Sequence, residues 1–434
     1  MTPPASAVAR APGPTAATPP ASRWQAWAAL DRRVWTMAVA RAVNTMGMSL
    51  VMSFLAVYVV EDRGYPAWLY GVIALVANVG QSMSNAWAGD LSDRIGRRPL
   101  ITGSLVLRSL VIAVLGVQVL LHAPLWTLAL NVIASSALRG SFEPVAYALV
   151  SDVVTPDQRI AAFGLQRMGT NLGWAVGPAL GGLLALAIPY GAVFFFAAAG
   201  LLLAALTTTR VADPRPRGVR LATDEAPVAL REAFAEALER PVMVALLAGT
   251  FLFSLVHTQV FSTFAVYTTD GLGISKGDLG LLYTVNGAAV LLLQLPALTA
   301  IRRFGIAAAL VAASLVFALG FFLVGLSSGF AGLAGAVAVI TVAEVLFAPA
   351  HQTAIAETGD ARRLGRAFGV VGFTQMLGVA FAPLVGGLLF DAVGHRPLVM
   401  WGAITALALA LTACFVAFAH VRVARVTAGA AARC

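Results

Sequence analysis

Between Arg63 and Asp90 the chain carries no charged side chain, and residues 241–269, 304–343, 367–390 and 397–419 are likewise free of Asp, Glu, Lys and Arg. From 160 to 209 the only charge is Arg167, and from 277 to 301 it is Asp278. A helix rises about 1.5 Å per residue, so about 20 apolar residues cross the ~30 Å hydrocarbon layer of a bilayer. Inside lipid a helix satisfies every backbone N–H and C=O within its own segment, which an irregular chain cannot do. Some runs are too long for one span and are cut by turn residues, at Pro189–Tyr190 and at Ser327–Ser328–Gly329. The expectation is an all-α integral membrane protein of twelve transmembrane helices, at 34–60, 68–90, 99–121, 125–150, 160–188, 191–209, 241–268, 278–300, 304–326, 331–355, 365–390 and 396–419.

Composition agrees: 59% of the residues are hydrophobic and 11% charged, against about 25% charged in a soluble domain. The net charge of +9 does not argue for nucleic acid. Lys276 is the only Lys, and the Arg residues gather in short connections between apolar runs. The tails and even-numbered connections hold 22 Lys and Arg, and the odd-numbered connections hold three. That asymmetry predicts both termini in the cytoplasm and an even number of spans in the cell inner (plasma) membrane. Residues 1–33, rich in Pro, Ala and Thr, are expected to be a disordered cytoplasmic tail, with the first span as the insertion signal. Cys414 and Cys434 build no disulfide framework, and the five His do not fall at metal-ligand spacing, so no metal or cofactor is expected.

The chain repeats itself. Residues 144–184 match 349–389 at a constant offset of 205: Pro144 with Pro349, Phe163–Gly164 with Phe368–Gly369, Pro178 with Pro383, and Gly181–Gly182 with Gly386–Gly387. At an offset of 209, Ala56–Val57–Tyr58 matches Ala265–Val266–Tyr267 and Gly96 matches Gly305. Two pseudo-symmetric six-helix halves are expected, 34–209 and 241–419, joined by a cytoplasmic linker at 210–240 and followed by a cytoplasmic tail at 420–434. The linker stretch Pro227–Arg240 has helical periodicity and is expected on the membrane surface. Halves of this kind rock against each other in secondary transporters.

The connection after the second span reads Gly89-Asp-Leu-Ser-Asp-Arg-Ile-Gly-Arg-Arg98. Gly89 permits close helix approach, and Asp93 can face the positive N-terminus of a helix across the interface between halves. Arg94, Arg97 and Arg98 can pair with acids or lipid phosphate, and Gly96 supplies a turn. Contacts that form in one conformation and break in the other make a latch; a plain positive-inside loop explains the Arg residues but not Gly89 and Asp93 at this spacing. The stretch resembles the loop signature G-x-L-a-D-R-x-G-R-[RK] of the major facilitator superfamily, with every fixed position filled. In the second half, around Arg302–Arg303–Phe304–Gly305, the Asp is lost, so the latch is expected in the first half alone. The fifth span carries Gly164, Gly173, Gly177, Pro178, Gly181 and Gly182, which resembles the superfamily's signature for drug:proton antiporters. Mechanically it is a bend at Gly177–Pro178 and a smooth face for helix packing.

Charges inside the spans are costly, at least ~2.5–3.5 kcal/mol each, and face protein or water. Arg139 and Glu143 share a face at i, i+4 in the fourth span. They form either a self-neutralising structural pair or a site where Glu143 titrates under the influence of Arg139. Arg139 maps onto Glu344 at offset 205, and the two are expected to line a central cavity and meet across it. Glu344, the only acid well inside the second half, suits a proton carrier. His257 ranks below the acids, Arg41 is a cavity candidate, and Arg108 and Arg167 are expected to snorkel to the headgroups.

The resemblance implies alternating access by a monomer among membrane lipids, driven by protons rather than ATP, with a small-molecule substrate. No Walker-type phosphate loop occurs. The expected function is proton-coupled efflux of small amphiphilic compounds, with import of a nutrient or metabolite as the alternative. An integral membrane enzyme would need a cluster of His, Cys or acids at one membrane face, and none is present.

Overall fold

The computed structural model describes residues 27–155, 158–212, 230–358 and 364–431. Every regular element among them is helical. The first set of helices is α1 (Arg32–Val57), α2 (Ala67–Ile95), α3 (Arg97–Leu120), α4 (Leu125–Val153), α5 (Arg159–Ala187) and α6 (Tyr190–Thr208). After α7 (Leu230–Leu238) come α8 (Pro241–Thr258), which continues through short helical turns to Gly271, α9 (Lys276–Phe304), α10 (Ile306–Leu326), α11 (Phe330–Thr358), α12 (Leu364–Val393) and α13 (Pro397–Ala431).

Among the described residues ten helices are long and apolar enough to cross a membrane. The two other long helices expected as spans, α2 and α4, have 29 residues each but are more polar. Their polar side chains are matched to each other: Ser84 and Ser141 hydroxyls lie 2.7 Å apart, and Arg139 donates to Gln81 Oε1 at 3.1 Å. Polar groups facing a partner helix need no water, so low apolarity here is compatible with burial.

Local chemistry sets the boundaries. Asp31 caps α1 by accepting the Arg33 backbone N–H at 2.7 Å. Gly96 alone separates α2 from α3, at φ 97° and ψ 150°, a conformation glycine takes without strain. The expected loop at 91–98 is therefore largely helix, with α2 running on to Ile95. Gly305 makes the same elbow between α9 and α10, at φ 86° and ψ 163°. The expected tail at 420–434 begins as helix, since α13 continues to Ala431. Residues 1–26, 213–229 and 432–434, which hold most of the other tail and linker expectations, lie outside the described residues. Linker helix α7 docks on the second set through Phe234 and Phe373, ring centroids 5.7 Å apart, while Arg240 donates to the Thr358 carbonyl at 2.6 Å.

The repeat extends to the backbone. Ala67–Ile95 and Lys276–Phe304 are helices of equal length 209 positions apart, and Leu125–Val153 and Phe330–Thr358 are of equal length 205 apart. The π turns Tyr58–Asp62 and Tyr267–Gly271 also correspond. Helices α1 and α5, α2 and α4, and α3 and α6 pack together, as do α8 and α12, α9 and α11, and α10 and α13. Two apolar clusters result. One is drawn mainly from α1–α6 and holds Phe54, Phe142 and Phe194; the other is drawn mainly from α8–α13 and holds Phe317, Phe347, Trp401 and Phe415. Contact between the two sets runs chiefly through α2 with α12 and α5 with α9.

Candidate functional site

Arg41 is buried in α1 with 1% of its side chain exposed. Its Nη1 ion-pairs with Glu143 of α4, its Nη2 donates to the Glu143 backbone carbonyl at 3.3 Å, and its Nε donates to Gln166 of α5 at 3.2 Å. The guanidinium also sits 3.9 Å from the Tyr147 ring centroid. Arg139 Nη2 lies 3.9 Å from the other Glu143 oxygen. Glu143 is thus held between two arginines, and Arg41 is a buried strut rather than a cavity-facing group. The i, i+4 pair foreseen from sequence exists, but its stronger partner comes from another helix.

Arg108 is 1% exposed and does not snorkel. It donates from Nη1 to the Asn44 backbone carbonyl at 3.1 Å and to the Asn44 side-chain oxygen, and from Nε to Ser135 at 3.3 Å. Arg108 Nη2 and Arg139 Nε are buried without a hydrogen-bond partner among the described residues. This cluster therefore holds more cation than its acid neutralises.

The second set carries a different centre. His257 Nε2 in α8 stands 3.4 Å from Glu344 Oε1 in α11, and Asn286 of α9 donates to the other Glu344 oxygen at 3.1 Å and to Thr341 at 2.8 Å. The His257 ring stacks on Phe253 at 5.2 Å. Glu344 and His257 keep 27% and 24% of their side chains exposed. Arg139 and Glu344 form no ion pair with each other: Arg139 donates to Gln81 and Glu344 accepts from Asn286, each on a helix packed against it in its own set. His351, also on α11, is buried with its Nε2 2.7 Å from the Thr250 hydroxyl.

Arg167 lies on the same face of α5 as Trp174. It is exposed. Seven residues on, Trp174 packs on Phe261 of α8 with centroids 4.8 Å apart.

The latch stretch is described in part. Arg97 is 7% exposed and donates to Asp152 of α4 at 2.6 Å, a link within the first set. Arg94 and Arg98 are exposed. The surroundings of Gly89 and Asp93 lie outside the described residues. In the antiporter-like stretch, a Cβ on Gly173 would lie 2.5 Å from the Ala42 carbonyl oxygen. Gly177 and Gly181 also abut α1, and Gly182 meets Gly280 of α9. Gly164 faces nothing within 4 Å, and Pro178 lies inside the helix. Among the described residues no group of His, Cys, Asp and Glu could hold a metal ion.

Sequence reasoning passed over Gln81, Asn286, Gln166, Tyr147 and Trp174. The available signal was polar or aromatic residues standing in apolar spans, which need partners wherever they are buried.

The sequence profile of the Major Facilitator Superfamily matches residues 37–275 and 258–432. The chain is 26% identical over 408 residues, 91% of its length and 95% of the relative's, to the uncharacterized MFS-type transporter YqjV of Bacillus subtilis (strain 168). It is 26% identical over 368 residues, 82% of its length and 86% of the relative's, to the multidrug resistance protein MdtH of Escherichia coli O9:H4 (strain HS). The crystal structure of the nucleoside transporter NupG superposes with a TM-score of 0.72 over 89% of this chain and 99% of that one, at 13% identity, a likeness of fold.

Proposed function

Since the chain belongs to the Major Facilitator Superfamily, whose members similar to it are transporters and not enzymes, we propose that it is a proton-coupled exporter of small amphiphilic compounds. Its twelve spans form two six-helix halves that rock about a central cleft, in the inner membrane, with both termini cytoplasmic. The repeat of helix lengths and the two buried clusters support that layout, and the multidrug relative supports the direction of transport.

The observation that carries the coupling is the pair His257 and Glu344, 3.4 Å apart and partly exposed inside the bundle. A proton arriving there changes the charge of the pair, and each charge moved across the membrane is worth ~2.3 kcal/mol per 100 mV. Glu143 serves less well, since a proton on it would break contacts with both Arg41 and Arg139. The site's glutamate therefore takes the proton, and Glu143 braces α1 against α4.

Proteoliposomes loaded with a panel of lipophilic dyes and given a pH gradient test this. Glu344→Gln is expected to lower gradient-driven flux by about a hundredfold, the loss usual for a positioned proton-transfer group, while dye binding persists. Undiminished gradient-driven flux in Glu344→Gln would sink the assignment. Expression that raises rather than lowers cellular accumulation of the dyes would make the protein an importer.

A further inference from the structure

The contact between Trp174 and Phe261 joins α5 of the first set to α8 of the second, so it fixes the direction in which that face of α5 looks. Arg167 lies seven residues earlier, two turns away on the same face. Depth agrees with this placement. Arg167 is about 12 Å from the start of α5, between His351 at about 10 Å and Glu344 at about 21 Å from the end of α11, at 1.5 Å per residue. The start of α5 lies beside the entry to α1, where Trp27 Nε1 donates to the Ala161 carbonyl at 3.2 Å, and the end of α11 lies beside α13, where Arg422 pairs with Glu357 at 2.5 Å. Trp174 is partly buried and Arg167 exposed.

No described carboxylate forms an ion pair with Arg167. Deep in the spans, Arg41, Arg108, Arg139 and Arg167 stand against Glu143 and Glu344. Uncompensated cation in a low-dielectric interior attracts an anion, and a guanidinium offers a carboxylate two parallel donors. Two turns along α5 from the cation, Trp174 and His257, both partly exposed, pack on the buried Phe261 ring. We propose that the cleft takes amphiphilic aromatic carboxylates, the carboxylate on Arg167 and the ring against Trp174 and His257. This rests on the cleft being the transport path.

Purified protein titrated calorimetrically with naphthoate, naphthamide and naphthylmethylammonium tests the site. Naphthoate is expected to bind about tenfold or more tightly than the other two, the gain of one charge-assisted hydrogen-bonded pair. Arg167→Gln should bring naphthoate down to the naphthamide affinity and leave naphthamide unchanged, which also shows that the variant is folded. Arg167→Lys should retain part of the preference, and Trp174→Ala should weaken all three ligands. The inference is overturned if naphthylmethylammonium binds as tightly as naphthoate, if Arg167→Gln leaves naphthoate binding unaltered, or if naphthoate fails to bind at millimolar concentration. Binding is measured without a gradient. A protein that transports dyes but prefers the ammonium keeps its function and loses this site; one that binds naphthoate but carries no flux does the reverse.

Discussion

Asn44 and Arg108 hold the positions that Phe253 and Phe317 hold 209 residues later. In the first set the pair is joined by hydrogen bonds; in the second it is two rings meeting edge to face at 5.6 Å. The same backbone slots are filled by opposite chemistries, so the first set presents charge and the second presents rings. Burial also ranks the ion pairs. Arg41 is sealed inside and Glu143 keeps 21% of its side chain exposed, whereas Arg33 and Asp31 keep 34% and 36%. Removing one partner of a buried pair strands the other, at a cost of about 3–5 kcal/mol, while an exposed pair is worth about 0–1 kcal/mol. Arg41→Gln is therefore expected to lower the unfolding midpoint in detergent far more than Arg33→Gln; equal shifts would contradict the strut role. Arg139 and Glu143 were legible in the sequence because helical spacing pairs them. Arg41 was legible as a costly charge, but its partner lies 102 residues away, and no local rule brings them together.

At the scale of the element, α5 divides its glycine pattern by what each residue faces. Gly173 lies against the α1 backbone, where the Ser49 hydroxyl donates to the Gly173 carbonyl at 3.1 Å. Gly164 meets open space. Gly173→Ala must push the helices apart, costing about 1–3 kcal/mol as overpacking does, and is expected to reduce both stability and flux. Gly164→Ala removes backbone freedom without a clash and should be neutral or slightly stabilising. Thermal unfolding and dye flux of the two variants check this, and a harmful Gly164→Ala would restore a role for the whole pattern. Spacing predicted the seam, but the glycine that stands outside it could be recognised only once α1 was in place. Likewise α2 and α4 carry polar residues that bond to each other, as Ser84 does with Ser141 and Gln81 with Arg139.

Across the whole molecule, the end opposite the termini is closed. Asp391 of α12 accepts the Ala67 and Trp68 backbone N–H groups at 3.0 and 2.8 Å, a carboxylate on the N-terminus of α2. At the start of α9, Lys276 reaches Asp62 at 2.8 Å. Each set thus anchors the other at the first turn of equivalent helices. Weakening both links with Asp391→Asn and Lys276→Gln should depopulate the state whose cleft opens toward the termini. With exposed contacts worth up to about 1 kcal/mol each, maleimide labelling of Asn171→Cys, at an exposed position of α5 between Arg167 and Trp174, in a background lacking Cys414 and Cys434 should slow by about fivefold. Unchanged labelling would show that these links do not hold the closed end.

The amino-acid order determined by itself that this chain is a bundle of membrane-length helices, that its design repeats at offsets of 209 and 205, and which side chains are too costly in lipid to be idle. Those properties depend on length, apolarity and local spacing, which are written along the chain. Only the tertiary structure decided that Arg41 rather than Arg139 is the main brace of Glu143, that Arg139 and Glu344 each bond within their own set, and that the face of α5 bearing Trp174 turns toward α8. Such pairings depend on how helices rotate about their axes and cross, and that is set by packing among residues a hundred or more positions apart.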